Sequence, residues 1–597
     1  MQIIYHKNTT LTICQKFFIE KSIELLHYGS IDSYRVRLNN PKTVLEELRY
    51  CLKEFEIGRV KHFQTIKSKE KEKKALINET LMLINYEPNF IEFNSISKSY
   101  LEQLLNKIDE YNYKKVISSI DILLSENQDY LEKVIAGLKV LIDLNDNSLA
   151  ALENLDKTLN ILFSELISKG FSKGFLYKII YGIFVNTLKP ASNFNSHFEN
   201  FKTRVTDAES EHIVIFRMDT TLKVYYSIST ITHNLFTLSD DIEEVKLNGE
   251  IVNGELDSFK VKVNNRKFIS CKVGALDYLA ALKKARNILS EYLDVVNLGL
   301  SDEFLHIHSR ALVIDSRSPK KGNFQNNVNI LDGKYRVEKD HYIQFSQKLP
   351  GLVNNPNIVN ETKEKIKSAI RYLRLGNQST EVEHKFINYW IGLEYLFSNY
   401  ESQNTINRIK DHFTNAHCLA YLIRNLYSFK KSFLQLSSAN IALITTYNNS
   451  DDSFLQNGLF YNEVGTILID DFPLLAYRAL KLKQWLFKPN KPVNATDYIN
   501  HHKDNLEIHF TRIYRLRNEI IHDAATNTNN EQIASNLRYY LTFILNEVID
   551  FLYNHNATQL SIEDYFILNE IKLGNISQQG YLVKDLLSVD CSIDFIS

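Results

Sequence analysis

In "YRLRNEIIHDA", residues 514–524, three side chains with complementary chemistry stand within one and a half helical turns: Arg517, Asn518 and His522. A guanidinium is a planar, permanent cation whose fork of donors suits anionic oxygens. An imidazole changes charge near neutral pH and can give or take a proton there. A side-chain amide between them can orient the imidazole or donate to the anion. Such a set can move protons beside a stabilised negative charge, and it needs no metal or organic cofactor.

The spacing places the set on a helix. With Arg517 at the origin and about 100° per residue, Leu516 and Ile520 fall near one edge of an apolar arc. Ile513 lies near its centre and Ile521 on its far side. Arg517 sits inside this arc, while Asn518 and His522 are neighbours on its flank, roughly 40° apart. A charge on a buried stripe is costly unless it is paired or faces a crevice. A second helix offers a partner. In "FINYWIGLEYLFSNY", Phe386, Trp390, Leu393 and Phe397 form an apolar stripe with Glu394 at its edge. A structural ion pair between Glu394 and Arg517 and a polar functional pocket both satisfy this pattern, and the residues leave both open.

"RNEIIH", Arg517 to His522, resembles the R-x4-6-H motif of HEPN domains, and the upstream "FINYWIGLEYLF" resembles the aromatic-rich helix of their Apea-like branch. The resemblance covers roughly residues 357–560. It implies an all-α bundle and a metal-independent endoribonuclease, in which the RNA 2′-OH is the nucleophile. His522 would serve as acid or base, Arg517 would stabilise the phosphorane, and Asn518 would orient the histidine or donate to phosphate. Glu394 would hold Arg517 or another cation. It further implies a homodimer through this domain, two motifs facing one cleft. Structured RNA such as tRNA would be the substrate and bacterial antiphage defence by abortive infection the setting. The alternative is a non-catalytic HEPN regulator that binds nucleic acid or protein.

Basic side chains that could hold RNA lie in the same region. "ETKEKIKSAIRYLRLG" carries Lys363, Lys367, Arg371 and Arg374, and "YRALKLKQWLFKPNKP" carries Arg478, Lys481, Lys483 and Lys488 beside Tyr477 and Trp485. Arg515 adds a cation on the motif helix itself. Cations next to stacking aromatics suit single-stranded or loop RNA; the bland reading is solvated lysines on amphipathic helices.

These residues need a framework, and the composition points to helices. The chain has 597 residues, 44% apolar and 24% charged, with only 19 glycines and 9 prolines, so a multidomain, mainly α protein is expected. Seventy basic and 71 acidic residues exclude a wholesale polyanion coat; any nucleic-acid site must be a local patch. Five scattered cysteines without a CxxC pair argue against structural zinc and disulfides. No apolar run spans a bilayer, so a cytoplasmic protein without membrane contact is expected.

Residues 1–204 read as a helical region, and the Lys67–Lys74 charge run reads as a solvated face; the HEPN resemblance implies that the N-terminal region would sense a phage-derived or regulatory trigger. Residues 205–335 read as a small α+β domain. "HIVIFRM", "TLKVYYSISTI", "FKVKVNN", "KFISCKV" and "FLHIHSRALVID" are its strands, and "ALDYLAALKKARNILSEYLDVVNLGL" is its helix. "SRSPKKGNFQNNVNILDGKY" reads as a linker or mobile loop, 336–356 as a linker, 357–560 as the helical domain and 561–597 as a tail. His306 and His308 share a strand face, but no nearby carboxylate or cysteine completes a metal site. His501 and His502 read as surface residues, and Cys418 as a small buried apolar one.

Overall fold

The computed structural model describes residues 10–27, 39–58, 75–86, 88–188, 193–230, 236–239, 259, 266–299, 305–317, 322–325, 339–379, 381–399, 405–436, 452–487, 496–523, 531–555 and 557–577. The molecule is mainly α with one small antiparallel sheet.

The N-terminal region is helical, as its periodicity predicts: α1 (Ile13–Leu26), α2 (Pro41–Glu56), α3 (Ala75–Tyr86), α4 (Lys98–Asn106), α5 (Tyr113–Glu126) and α6 (Tyr130–Leu144). These are followed by α7 (Leu149–Ser168), α8 (Lys173–Ile180), a π-helical turn at Tyr181–Asn186 and α9 (Phe194–Thr206). Thr12, Asn40, Ser97, Ser148 and Ser172 each accept a first-turn N–H, fixing where five of these helices begin. The helices share one core, in which Phe18 meets Phe184, Phe194, Phe198 and Phe201. The Lys67–Lys74 run lies outside the described residues.

The central sheet has the order β2-β3-β1-β4-β5, with β1 (Ser210–Thr220), β2 (Phe236–Ser239), β3 (Arg266–Ala275), β4 (Leu305–Asp315) and β5 (Gly322–Gln325). Alternation sends Val214, Phe216 and Met218 of β1 to one face, where they meet α10 (Leu222–Thr230) and α11 (Tyr278–Gly299); Ile215 goes to the other with Phe268 and Leu312. Two expectations fail here. "TLKVYYSISTI" is helix α10, not a strand: Thr221 Oγ1 accepts the Val224 N–H at 3.3 Å, and Val224 and Ile228, one turn apart, are both buried. The loop read at 316–335 contains β5, paired with β4 from Ala311↔Gln325 to Ile314↔Gly322. "FKVKVNN" lies outside the described residues except for Phe259, which is buried on the second face.

The C-terminal helical domain is larger than expected. The supposed linker contains α12 (Lys339–Asn354), and the supposed tail contains the last helix, Ile562–Ser577. Between them run α13 (Asn360–Gln378), α14 (Val382–Phe397), the short α15 (Thr405–Arg408), α16 (Thr414–Leu434), α17 (Gly458–Ile467), α18 (Pro473–Leu486), α19 (Thr496–Asp523) and α20 (Glu531–Asn554), which makes the last one α21. All belong to one core that extends from Leu352 to Ile576. Lys348 reaches Asp550 at 2.6 Å from α12, and Phe566 of α21 stacks on Phe397 at 4.8 Å. No helix among the described residues is long and apolar enough to cross a membrane.

Candidate active site

The motif lies at the C-terminal end of α19, a 28-residue helix. Ile499, His502, Leu506, His509, Phe510, Ile513 and Leu516 form its buried stripe at helical spacing. The stripe ends there. Arg517 and Ile520, which continue it, are half-buried, and Ile521 is 44% exposed, so the buried arc is narrower than its sequence predicts and Arg517 sits at its margin.

Arg517 Nη1 donates to Asn518 Oδ1 at 3.1 Å, and its Nε is buried without an acceptor. It forms no ion pair with a described residue. Glu394 does not hold it: this carboxylate accepts the Trp390 indole N–H at 3.0 Å. The two helices instead touch through Trp390 and Tyr514, whose ring centroids are 5.9 Å apart. His522 falls in the last turn of α19, one turn beyond Asn518; its side chain lies outside the described residues, as do residues 524–530.

One turn before Arg517, the same helix is tied to the N-terminal region. Arg512 binds Glu47 with two bonds, Nε to Oε1 at 3.0 Å and Nη2 to Oε2 at 2.8 Å, and also reaches Glu79 at 2.8 Å. Arg515 closes on Glu47 as well. Burial alone would raise the Glu47 carboxyl, but the two guanidiniums outweigh it and hold the group far below the usual carboxylate range. At Glu79 burial prevails and the shift is upward. Just past residues 524–530, Glu531 opens α20 and accepts Arg286 at 3.0 Å and Lys283 at 2.6 Å, both from α11. The segment that carries the motif is therefore gripped on both sides by the two upstream regions.

The expected RNA-binding residues do not form one open patch. Arg371 and Arg374 are exposed on α13, where Arg374 donates to Gln378 at 3.2 Å. Arg478 pairs with Glu24, Lys481 with Glu153 at 2.7 Å, and Lys483 donates to Asn462 at 2.6 Å. Arg515 is half-buried and pairs with Glu47. Lys367 pairs with Glu364 at 2.9 Å, and Lys488 lies outside the described residues.

Two further readings change. His308 Nε2 meets Asp219 Oδ2 at 2.6 Å, a carboxylate brought from β1 by sheet pairing; no group of three metal-ligating side chains forms among the described residues. His501 is exposed, but His502 is 2% exposed and belongs to a polar network inside the bundle. Its Nε2 meets His417 Nδ1 at 3.0 Å and its ring stacks on Tyr421 at 3.6 Å, while His417 Nε2 meets the Tyr539 hydroxyl at 3.1 Å. Arg424 also donates to that hydroxyl, at 2.5 Å. Burial drives both imidazoles well below their ordinary pKa, so both are neutral. Cys418 is 1% exposed, as expected.

Sequence reasoning missed Arg512, Glu47 and Glu79. A signal was present: Glu47 stands one turn from Val44 and Cys51, so it lies on the apolar stripe of its own helix. Comparison of the chain with protein-family models, with curated proteins and with solved structures yields no match.

Proposed function

We propose that the chain is a metal-independent endoribonuclease of the HEPN type, whose C-terminal domain cleaves RNA and whose upstream regions control it. The observation that supports this is Arg517: a half-buried guanidinium that no described carboxylate neutralises, five residues before a histidine in the last turn of α19. Two other arginines of the same helix are placed differently, since Arg512 and Arg515 both have carboxylate partners.

In the reaction the 2′-OH loses its proton to one base and attacks phosphorus. The bond to the 5′-oxygen breaks, and that oxygen takes a proton from an acid. The products are a 2′,3′-cyclic phosphate and a 5′-hydroxyl. Arg517 meets the extra negative charge on the phosphorane, which is worth most where water is excluded. Two proton transfers call for two histidines, and a two-fold dimer supplies His522 from each chain. A cytoplasmic antiphage effector acting on tRNA or other structured RNA fits this chemistry. The test is cleavage of an RNA panel by the full chain in EDTA, beside His522→Ala. Cyclic-phosphate ends lost in the variant support the reading; 3′-hydroxyl ends, or equal products from both proteins, overturn it.

A second reading, a non-catalytic protein-binding regulator, is favoured by one observation. Arg478, Lys481, Lys483 and Arg515, all expected to bind RNA, are engaged by partners within the chain.

A further inference from the structure

Five ion pairs between described residues join the N-terminal region to α18 and α19, and they have one polarity. Glu24 meets Arg478, Glu153 meets Lys481, Glu47 and Glu79 meet Arg512, and Glu47 also meets Arg515. In each the acid comes from the N-terminal helices and the base from the C-terminal domain. Asp156 adds a fifth acid to this face, accepting the Tyr477 hydroxyl at 3.0 Å. The four cations sit on two neighbouring helices, and two of them, Arg512 and Arg515, precede Arg517 on α19.

Carboxylates laid over three guanidiniums and an ammonium present what a phosphate backbone offers, anionic oxygens, two of them held by Arg512 in a two-bond fork on Glu47. We propose that these four cations form a polyanion-binding face, and that the acidic N-terminal face occupies it in place of RNA. The N-terminal region is then a tethered competitor. RNA and the acidic face bind the same side chains, so each weakens the other by the same factor. This rests on RNA as the ligand of the C-terminal domain but not on its cleavage. In the occupied state Arg517 turns its Nη1 to its neighbour Asn518, as a resting site would.

The experiment uses the full chain carrying His522→Ala, so that RNA is bound without being cut. Glu24, Glu47, Glu79 and Glu153 are changed together to Gln, which keeps side-chain shape and removes charge. Affinity for an RNA oligomer is measured across a salt series, and amide exchange is followed in 473–486 and 496–516. The expected result is at least about tenfold tighter binding, a steeper loss of affinity with salt as more phosphates are contacted, and faster exchange in both segments. Unchanged or weaker binding with an unchanged salt slope overturns the proposal. Should the fourfold variant fail to fold, Glu153→Gln at the rim, where the pair is partly exposed, is expected to tighten binding about twofold to threefold, and no change there overturns it equally. Cleavage is read separately in chains that retain His522. If tighter binding appears but no chain cuts RNA, the nuclease reading fails and the competitor stands.

Discussion

Arg517 and Asn518, adjacent in the chain, are joined by a 3.1 Å hydrogen bond, while Arg512 on the same helix is locked to Glu47 and Glu79. The two arginines should therefore answer mutation in opposite ways. Arg517→Ala removes a cation without a carboxylate partner among the described residues, so stability should change by less than about 1 kcal/mol. RNA cleavage should fall roughly 10²–10³-fold, the usual loss for a donor aimed at a developing charge. Arg512→Ala leaves the buried Glu79 carboxylate without its guanidinium and Glu47 with Arg515 as its remaining cation, and should cost about 3–5 kcal/mol. Urea unfolding and cleavage rates on the same preparations decide it. If Arg517→Ala proves the more destabilising, it is structural and the proposed site loses its main support.

Close approach of α13 and α14 gives a test of the bundle that frames the site. A Cβ placed on Gly376 would lie 2.4 Å from Tyr389 Cε1, and the Tyr389 ring is 1% exposed. The ring cannot swing away without leaving its bond to Asn377 at 2.9 Å. Gly376→Ala should thus destabilise the domain by about 1–3 kcal/mol through overpacking. Helix propensity alone would stabilise by nearly 1 kcal/mol. A rise in melting temperature would show that the helices stand farther apart.

How much of this is legible in the sequence depends on the distance between partners. The stripe of Phe386, Trp390, Leu393 and Phe397 is local, and all four are buried as their spacing requires. α10 misled because its β-branched and aromatic residues favour strands, whereas its cap and its Val224–Ile228 spacing are helical. α12 was missed because its sequence is polar and carries Pro350; Leu352 in the core and the Lys348–Asp550 pair, 202 residues apart, hold it. His502 finds His417 at 85 residues' separation, and Arg512 finds Glu47 at 465. No window of sequence contains both members of such a pair. An acid embedded in an apolar stripe says that a partner exists, not which one.

Asp277 ties the N-terminal and central regions together. It caps α11, accepting the Leu279 and Ala280 N–H groups at 2.8 and 2.9 Å, and it also accepts the N–H and hydroxyl of Ser172 at 2.8 and 2.9 Å. Asp277→Asn keeps the oxygen that caps α11 and accepts the Ser172 hydroxyl but turns its NH2 toward the Ser172 N–H, so about 1–2 kcal/mol should be lost. Asp277→Ala loses all four bonds and should cost about 2–4 kcal/mol. Amide exchange at the start of α8 should speed up in both variants, and at the start of α11 in the alanine variant alone. Equal effects on both helices would mean that the two regions are not joined through this carboxylate.

The buried histidines set the response of the C-terminal domain to acid. His417, His502 and His509 are driven below their ordinary pKa by burial, His509 to about 3. His509 shares one ring nitrogen with the Tyr540 hydroxyl at 2.9 Å, its other nitrogen is buried without a partner, and nearby Arg512 opposes a second positive charge. The unfolded chain binds protons at these positions below about pH 6.5 while the folded chain does not. Stability is therefore present above that pH and is lost as pH falls, for His509 across the window down to about 3. Each neutral buried histidine contributes a slope of about 1.4 kcal/mol per pH unit there. The chain's two tryptophans, Trp390 and Trp485, both lie in this domain, so their fluorescence reports its unfolding. Urea titrations at pH 7.5, 6 and 5 should show a steep loss in the wild type. In His509→Phe the slope should be smaller by about 1.4 kcal/mol per unit, whatever the variant's stability at neutral pH. Identical slopes would mean that His509 takes up its proton in the folded state, which its place between Tyr540 and Arg512 does not allow.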